Sequence, residues 1–208
     1  MGFQNSRWSA PEGQFAVRVT TDAQEIRGWL QNTVVVEPGT VAYIVQEGDY
    51  LGELPAGAYT IKSFEEKLEF WRKGQTTIIL ARGEAIPIDV SCPEVLTADA
   101  LVADLTVRVA IQLADVSRFL NNLLGPRDEL SLEPLKDKLI PLIQQAVWQA
   151  TASRTMEQLK TPAIAQELSE NVGNTLAIMA TVLAFIAKPE PVLVKEVVYV
   201  TTQPPGSV

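Results

Sequence analysis

The chain has 208 residues, 47% of them apolar, which suits one domain, or one domain with a small appendage, and supplies enough apolar surface for a core. Its formal net charge is −8 and no Lys/Arg cluster interrupts the acidic balance, so a nucleic-acid partner is not expected and direct attraction to an anionic membrane surface is disfavoured. There is no histidine and a single cysteine, Cys92, which excludes Ser-His and Cys-His triads, histidine-held metals and any internal disulfide.

Met1–Pro11 lacks the basic start and apolar core of a signal peptide. Residues 14–19 read as a short strand, and Asp22 as the cap of a short helix containing Ile26 and Trp29. The β-branched stretch 33–37 ends at the turn pair Pro38-Gly39. Residues 41–46 and 50–54 flank Glu47-Gly48-Asp49, a hairpin whose glycine supplies positive φ, and Pro55–Tyr59 makes a second reversal. Residues 76–81 form another strand, followed by a turn at Arg82-Gly83-Glu84. Ile86, Ile88, Val90 and Cys92 then recur with a period of two, and Leu105, Val107, Val109, Ile111 and Leu113 do so again over 104–113.

The second half turns helical. Asp115 caps a helix with Val116, Phe119, Leu120 and Leu123 on one side, stopped at Gly125-Pro126. Ser131 is the expected cap of the next helix, whose buried face is Leu135, Leu139, Leu142, Ile143, Ala146 and Val147, with Pro141 either kinking it or marking its real start. Thr155 opens a further segment and a helix is expected over 162–187, split near Gly173, before Lys188–Pro191 ends it. Residues 192–201 return as a late strand. The run 176–187 falls short of the roughly 20 residues of a spanning helix, so a cytoplasmic protein is expected.

In its order and wording the chain resembles the SPFH/band-7 superfamily of stomatins, prohibitins and flotillins. The carriers are Val34–Val45 with Gly48 and Leu54–Thr60, similar to the family's opening hairpin and Pro-Gly-Tyr reversal. Leu96-Thr97-Ala98-Asp99-Ala100-Leu101 leads into the strand through Val109 as the family's leucine-threonine-x-aspartate segment does. Asp115–Leu120, the Arg154–Leu159 junction and the strand near Val194–Val200 follow in the same order. Within the superfamily the hairpin is most similar to bacterial virion-core-like SPFH proteins. No counterpart of the stomatin membrane hairpin or of the charged coiled coil is read in these residues.

The resemblance implies an α+β fold: a strand-rich N-terminal half with a twisted, mostly antiparallel sheet, a helix-rich C-terminal half and a late strand. Residues 33–201 are then the domain, 1–32 an N-terminal arm or small accessory segment and 202–208 a tail. It also implies a non-enzymatic scaffold that forms a homo-oligomer and organises a membrane-associated or cytosolic assembly. Peripheral contact with the inner face of a membrane is an expectation from kinship. The alternative is a soluble adaptor that recruits a partner protein through the N-terminal arm or a sheet edge.

No catalytic, cofactor or metal residue is expected. Cys92 lies on an apolar strand face with no neighbour to activate it, so it reads as core. Glu84, Asp99, Asp104 and Asp115 have no spacing that would converge them on a metal, and the glycines match no phosphate-binding pattern. The interaction candidates are Phe3 and Trp8 in the polar arm, and Phe64 and Trp71 beside the charged stretch 65–69. Leu176, Met179, Leu183 and Ile186 complete the set, on a helix apolar nearly all round that needs a subunit to cover it.

Overall fold

Residues 41–46 and 76–81 are apolar on both strand faces, and strands of that kind belong inside a covered sheet. The computed structural model describes residues 3–4, 6–68, 74–176, 183–186 and 193–198. The chain divides into two compact units, residues 1–86, 111–137 and 181–184, and residues 87–110, 138–180 and 185–208.

The first unit begins with β1 (Phe3–Gln4), β2 (Arg7–Trp8), β3 (Gln14–Asp22) and α1 (Ala23–Leu30). It continues with β4 (Val34–Val36), β5 (Thr40–Gln46), β6 (Asp49–Leu54), β7 (Gly57–Tyr59), α2 (Ile61–Leu68) and β8 (Gln75–Arg82). β11 (Glu129–Ser131) joins β3, β8, β5 and β6 in an antiparallel five-stranded sheet of order β11-β3-β8-β5-β6. The inner strands β8 and β5 are the doubly apolar runs, and Ile78, Ile79, Leu80, Ala42 and Ile44 are all buried.

One face of that sheet is covered by Trp8, Ile26 and Leu30 of α1, Tyr59 and Phe64 of α2, which share a cluster with Ala42, Ile44, Ile78 and Leu80. Asp22 starts α1 by accepting from the Gln24 and Glu25 N–H groups, both at 2.8 Å, and Ile26 and Leu30 then fall four residues apart on the buried side. On the opposite face Phe15 meets Phe119, ring centroids 5.9 Å apart. Phe119 opens a π-helical turn (Phe119–Leu124) that follows α3 (Val116–Arg118), capped by Asp115 as its sequence indicates, and the turn ends at Gly125 with φ 56. The β5–β6 hairpin closes through Glu47 and Gly48 at φ 52 and 93, the two positive angles of a turn that matches strand twist.

Of residues 1–32, read as an arm or accessory segment, the described ones supply strands of this unit. β1 and β2 pair as a hairpin with Phe3 opposite Trp8, β2 runs parallel to β4, and β3 is a full strand of the main sheet. Trp8 is 0% exposed and meets Trp29 edge-on, with centroids 6.4 Å apart. Of the charged stretch 65–69, residues 65–68 belong to α2, which turns Phe64 inward. Ser131 lies in β11 and its hydroxyl donates to the Gln14 side chain at 3.0 Å, so it does not cap the following helix.

The elements that remain are β9 (Ile86–Leu96), β10 (Val102–Leu113), α4 (Leu132–Thr151), α5 (Met156–Leu159), α6 (Pro162–Thr175), β12 (Leu183–Ile186) and β13 (Leu193–Val198). β10 pairs antiparallel with β13, and β9 and β12 also join β10. α4 buries Leu139, Ile143, Ala146 and Val147 at helical spacing, and it continues through Pro141, which is exposed. Thr155 and Gln158 form a reciprocal capping box at the start of α5.

The helix expected over 162–187 is corrected. α6 stops at Thr175, where Leu176 is its C-cap and returns its N–H to Val172, and Leu183–Ile186 is strand. A short apolar run fits a buried strand as well as a buried helix, and pairing with β10 selects the strand. The family's α+β class holds throughout, strands dominating the first half and helices the second, with the late strand as β13.

Trp8→Ala should lower the unfolding free energy by about 3–5 kcal/mol, because the cavity left among rigid core groups cannot close. Arg7→Ala, next to it but exposed, should stay within about 0.5 kcal/mol of the parent in the same urea titration.

Candidate interaction surface

Large apolar side chains on the surface are the groups with binding energy still to give. Among the described residues they are Tyr50, Leu96 and Trp148, at 44%, 61% and 47% exposure. None was among the eight candidates. Trp8, Phe64 and Leu176 are interior, at 0%, 1% and 1% exposure, and cannot present a ring or methyl to a partner without unfolding their surroundings. Phe3 is paired in β1, Leu183 and Ile186 belong to β12, and Trp71 and Met179 lie outside the described residues.

Leu96 and Trp148 belong to one site. With Glu94, Val95 and Ala152 they line a hollow of about 260 Å³ in the second unit. The site exists because β9 loses its alternation. Ile88, Val90 and Cys92 are buried at every second position, but the next buried residue is Val95, three positions on. Glu94, at φ 53, takes up the extra residue in a left-handed conformation that costs a non-glycine side chain energy. Its N–H is satisfied by the Asp104 carboxylate at 2.9 Å. The slip carries Val95 in and Leu96 out. On α4, Trp148 follows Val147 by one residue and so falls off the buried stripe, and the Gln144 side chain ties that helix to β9 by donating to the Ser91 carbonyl at 2.7 Å. A tryptophan off the stripe of an amphipathic helix was the visible signal for this site.

Beside the site the loop after β9 is locked. Thr97 is buried, and its hydroxyl donates to the Leu101 carbonyl at 2.9 Å and accepts from the Leu101 N–H at 3.1 Å. The Ala98 N–H reaches the Arg154 carbonyl at 2.8 Å, and Asp99 accepts from the Met156 N–H at 3.1 Å, supplying an acceptor to the first turn of α5. Arg154 in turn donates from one nitrogen, Nη2, to both Glu167 oxygens at 2.6 Å, joining the start of α5 to α6. The threonine and aspartate of this segment are therefore structural, holding a loop to a helix end. Interaction with the Thr97 hydroxyl, and then with the Met156 N–H, keeps the Asp99 carboxyl below the ordinary carboxylate range.

Cys92 is fully buried, and burial pushes its thiol up to about 11, which keeps it protonated and inert at neutral pH. Asp104 is occupied by the Glu94 N–H, Asp115 by α3, and Asp89 pairs with Arg108 at 2.6 Å on the exposed side of β9 and β10. Among the described residues no group of three or more Cys, Asp or Glu side chains could hold a metal ion.

Comparison with protein families matches residues 9–183 to the SPFH domain / Band 7 family. Comparison with the curated proteins gives no match.

Because the folded state lowers the Asp99 pKa, its contribution to stability is fully present above the unfolded carboxylate value of about 3.9 and is lost as pH falls through the lowered folded value. Asp99→Asn should therefore be less stable than the parent at neutral pH, and the gap should narrow on acidification. Urea midpoints measured from neutral to acid pH check this.

Proposed function

The chain belongs to the SPFH domain / Band 7 family, and on that premise we propose that it is a non-enzymatic scaffold that associates with copies of itself through the Leu96–Trp148 patch. The observation that carries the reading is the patch itself. Two large apolar side chains stand exposed together on a part of the chain made stiff by the Gln144–Ser91 hydrogen bond and the Thr97 loop. Tryptophan held on rigid backbone loses little entropy on binding, the property that marks the anchors of protein interfaces. A patch on a helix and strand end can meet its own copy across a two-fold axis, the commonest arrangement of soluble oligomers.

The family is generally non-enzymatic and suits a scaffold-type role. The inert thiol and the carboxylates already engaged by backbone N–H groups support the same reading for this chain. Among the described residues no helix is long and apolar enough to cross a membrane. The membrane role we propose for such a scaffold is peripheral attachment at an inner face, with the assembly supplying avidity that one weak contact lacks.

The adaptor reading loses the N-terminal segment as its arm, since Trp8 is core. It retains β6, which ends the five-stranded sheet and presents Tyr50.

Trp148→Glu and Leu96→Lys should each shift the chain toward monomer in size-exclusion chromatography with light scattering. Loss of one interface anchor should raise the dissociation constant about thirtyfold, the equivalent of roughly 2 kcal/mol. A parent chain that is monomeric at high concentration, or variants that associate as the parent does, would sink the reading.

A further inference from the structure

A second surface, in the first unit, owes its chemistry to another slipped strand. Residues 50 and 53 of a regular strand face opposite sides, since side chains alternate with a period of two. β6 is not regular. Tyr43 lies opposite Glu53 and Val45 opposite Tyr50, with the register shift between Ile44 and Val45, so β6 holds one extra residue there. That residue is Leu51, which packs against the core, and Gly52 beside it has φ 151, an angle that favours glycine. The slip brings Tyr50 round to the side of Tyr43 and Glu53. The two rings stand 6.5 Å apart, inclined by 44°.

These three residues, with Leu113, Asp115 and Val116, line a cavity of about 290 Å³ beside the strand that ends the sheet. The charged residues that line it, Glu53 and Asp115, are both acidic, beside the hydroxyls of Tyr43, Tyr50 and Ser117. Asp115 is partly neutralised, accepting from the Arg118 N–H at 2.9 Å with the Arg118 guanidinium 3.6 Å away. Glu53 is exposed and has no cationic partner among the described residues. Its charge reaches both rings: burial first and Glu53 second push the Tyr43 hydroxyl up to about 12, and the same two causes raise Tyr50.

We infer that this cavity receives the guanidinium of an arginine carried by a basic segment of a partner protein. A planar cation stacks on tyrosine faces while its fork reaches a carboxylate, and both elements stand here on one wall. The cavity exceeds what one side chain needs, which leaves room for the stem as well as the head. An anionic or neutral segment would leave Glu53 facing it without compensation. The net charge of −8 adds long-range attraction for a basic partner and repulsion between copies of the chain itself, which favours a guest over a second copy as occupant. The inference does not depend on self-association, since no residue of the Leu96–Trp148 patch takes part.

The test is fluorescence anisotropy of the full chain with a short labelled peptide of alternating glycine and arginine, beside its citrulline counterpart, at physiological salt. The arginine peptide should bind saturably and the citrulline peptide should not. Glu53→Gln should weaken binding about tenfold, and Tyr50→Ala about three- to fivefold. Both positions are exposed, so these variants should melt as the parent does, and Glu133→Gln, the same charge change on an exposed residue of α4, should bind as the parent does. The inference is overturned if the two peptides bind alike, or if Glu133→Gln weakens binding as much as Glu53→Gln, which would mean general attraction only. It is also overturned if the peptide does not bind and Glu53→Gln instead lowers the oligomeric state, which would make a second copy the occupant.

Discussion

Strands β5 and β8 are apolar on both faces, and a sheet built round them has to be covered twice. That requirement organises the first unit. Four of the five strands of its main sheet come from residues 14–82, and α1, α2 and Trp8 cover one face. The second face waits for Phe119 and its π-helical turn, which arrive after the chain has passed through β9 and β10. β11 then closes the sheet at β3, and the Arg18 guanidinium donates to the Gly125 carbonyl at the end of the turn. The sheet is thus a contact between distant parts of the sequence, and β3, far from being an appendage, joins the early and late segments.

Much of this was legible because it depends on periodicity and local turns. The alternation over 104–113, the hairpin at Glu47-Gly48, the caps at Asp22 and Asp115, the opening of a segment at Thr155 and the stripe of α4 are each set by residues within a turn or two of one another. What escaped has a different physical origin. A two-residue strand such as β2 carries no period, so Trp8 could be recognised as core only through partners remote in sequence. Ser131 has the chemistry of a cap, but Gln14, more than a hundred residues away, takes its hydroxyl. Leu183–Ile186 is apolar enough for either kind of element, and only strand pairing decides between them.

The two surfaces were missed for a more specific reason. Each follows from one extra residue in a strand. At Glu94 the slip turns Leu96 outward, and at Leu51 it carries Tyr50 to the face of Glu53. A period-two reading assumes that parity is conserved along a strand, so every position past a bulge is assigned to the wrong side. The costs of these slips are offset locally: Asp104 satisfies the Glu94 N–H, and Gly52 accepts an angle that other residues resist. Irregularities that are locally supported in this way are stable features of the fold, and they are how a sheet turns one selected side chain outward while keeping its neighbours in the core.

The division of chemistry between the two surfaces bears on how such a scaffold would work. The Leu96–Trp148 patch presents its two large side chains as apolar surface, which would suit an interface between identical acidic chains, because like charges brought together would oppose it. The Tyr43–Tyr50–Glu53 cavity is acidic and aromatic, poorly suited to its own kind and suited to a cation. Using different physics for the two contacts keeps them from competing. Each copy brought in by the apolar contact would add one acidic cavity, so a guest with several basic segments gains affinity from the number of copies without any cavity binding more tightly. Assembly and capture are then coupled through effective concentration alone, and no conformational change has to pass along the chain.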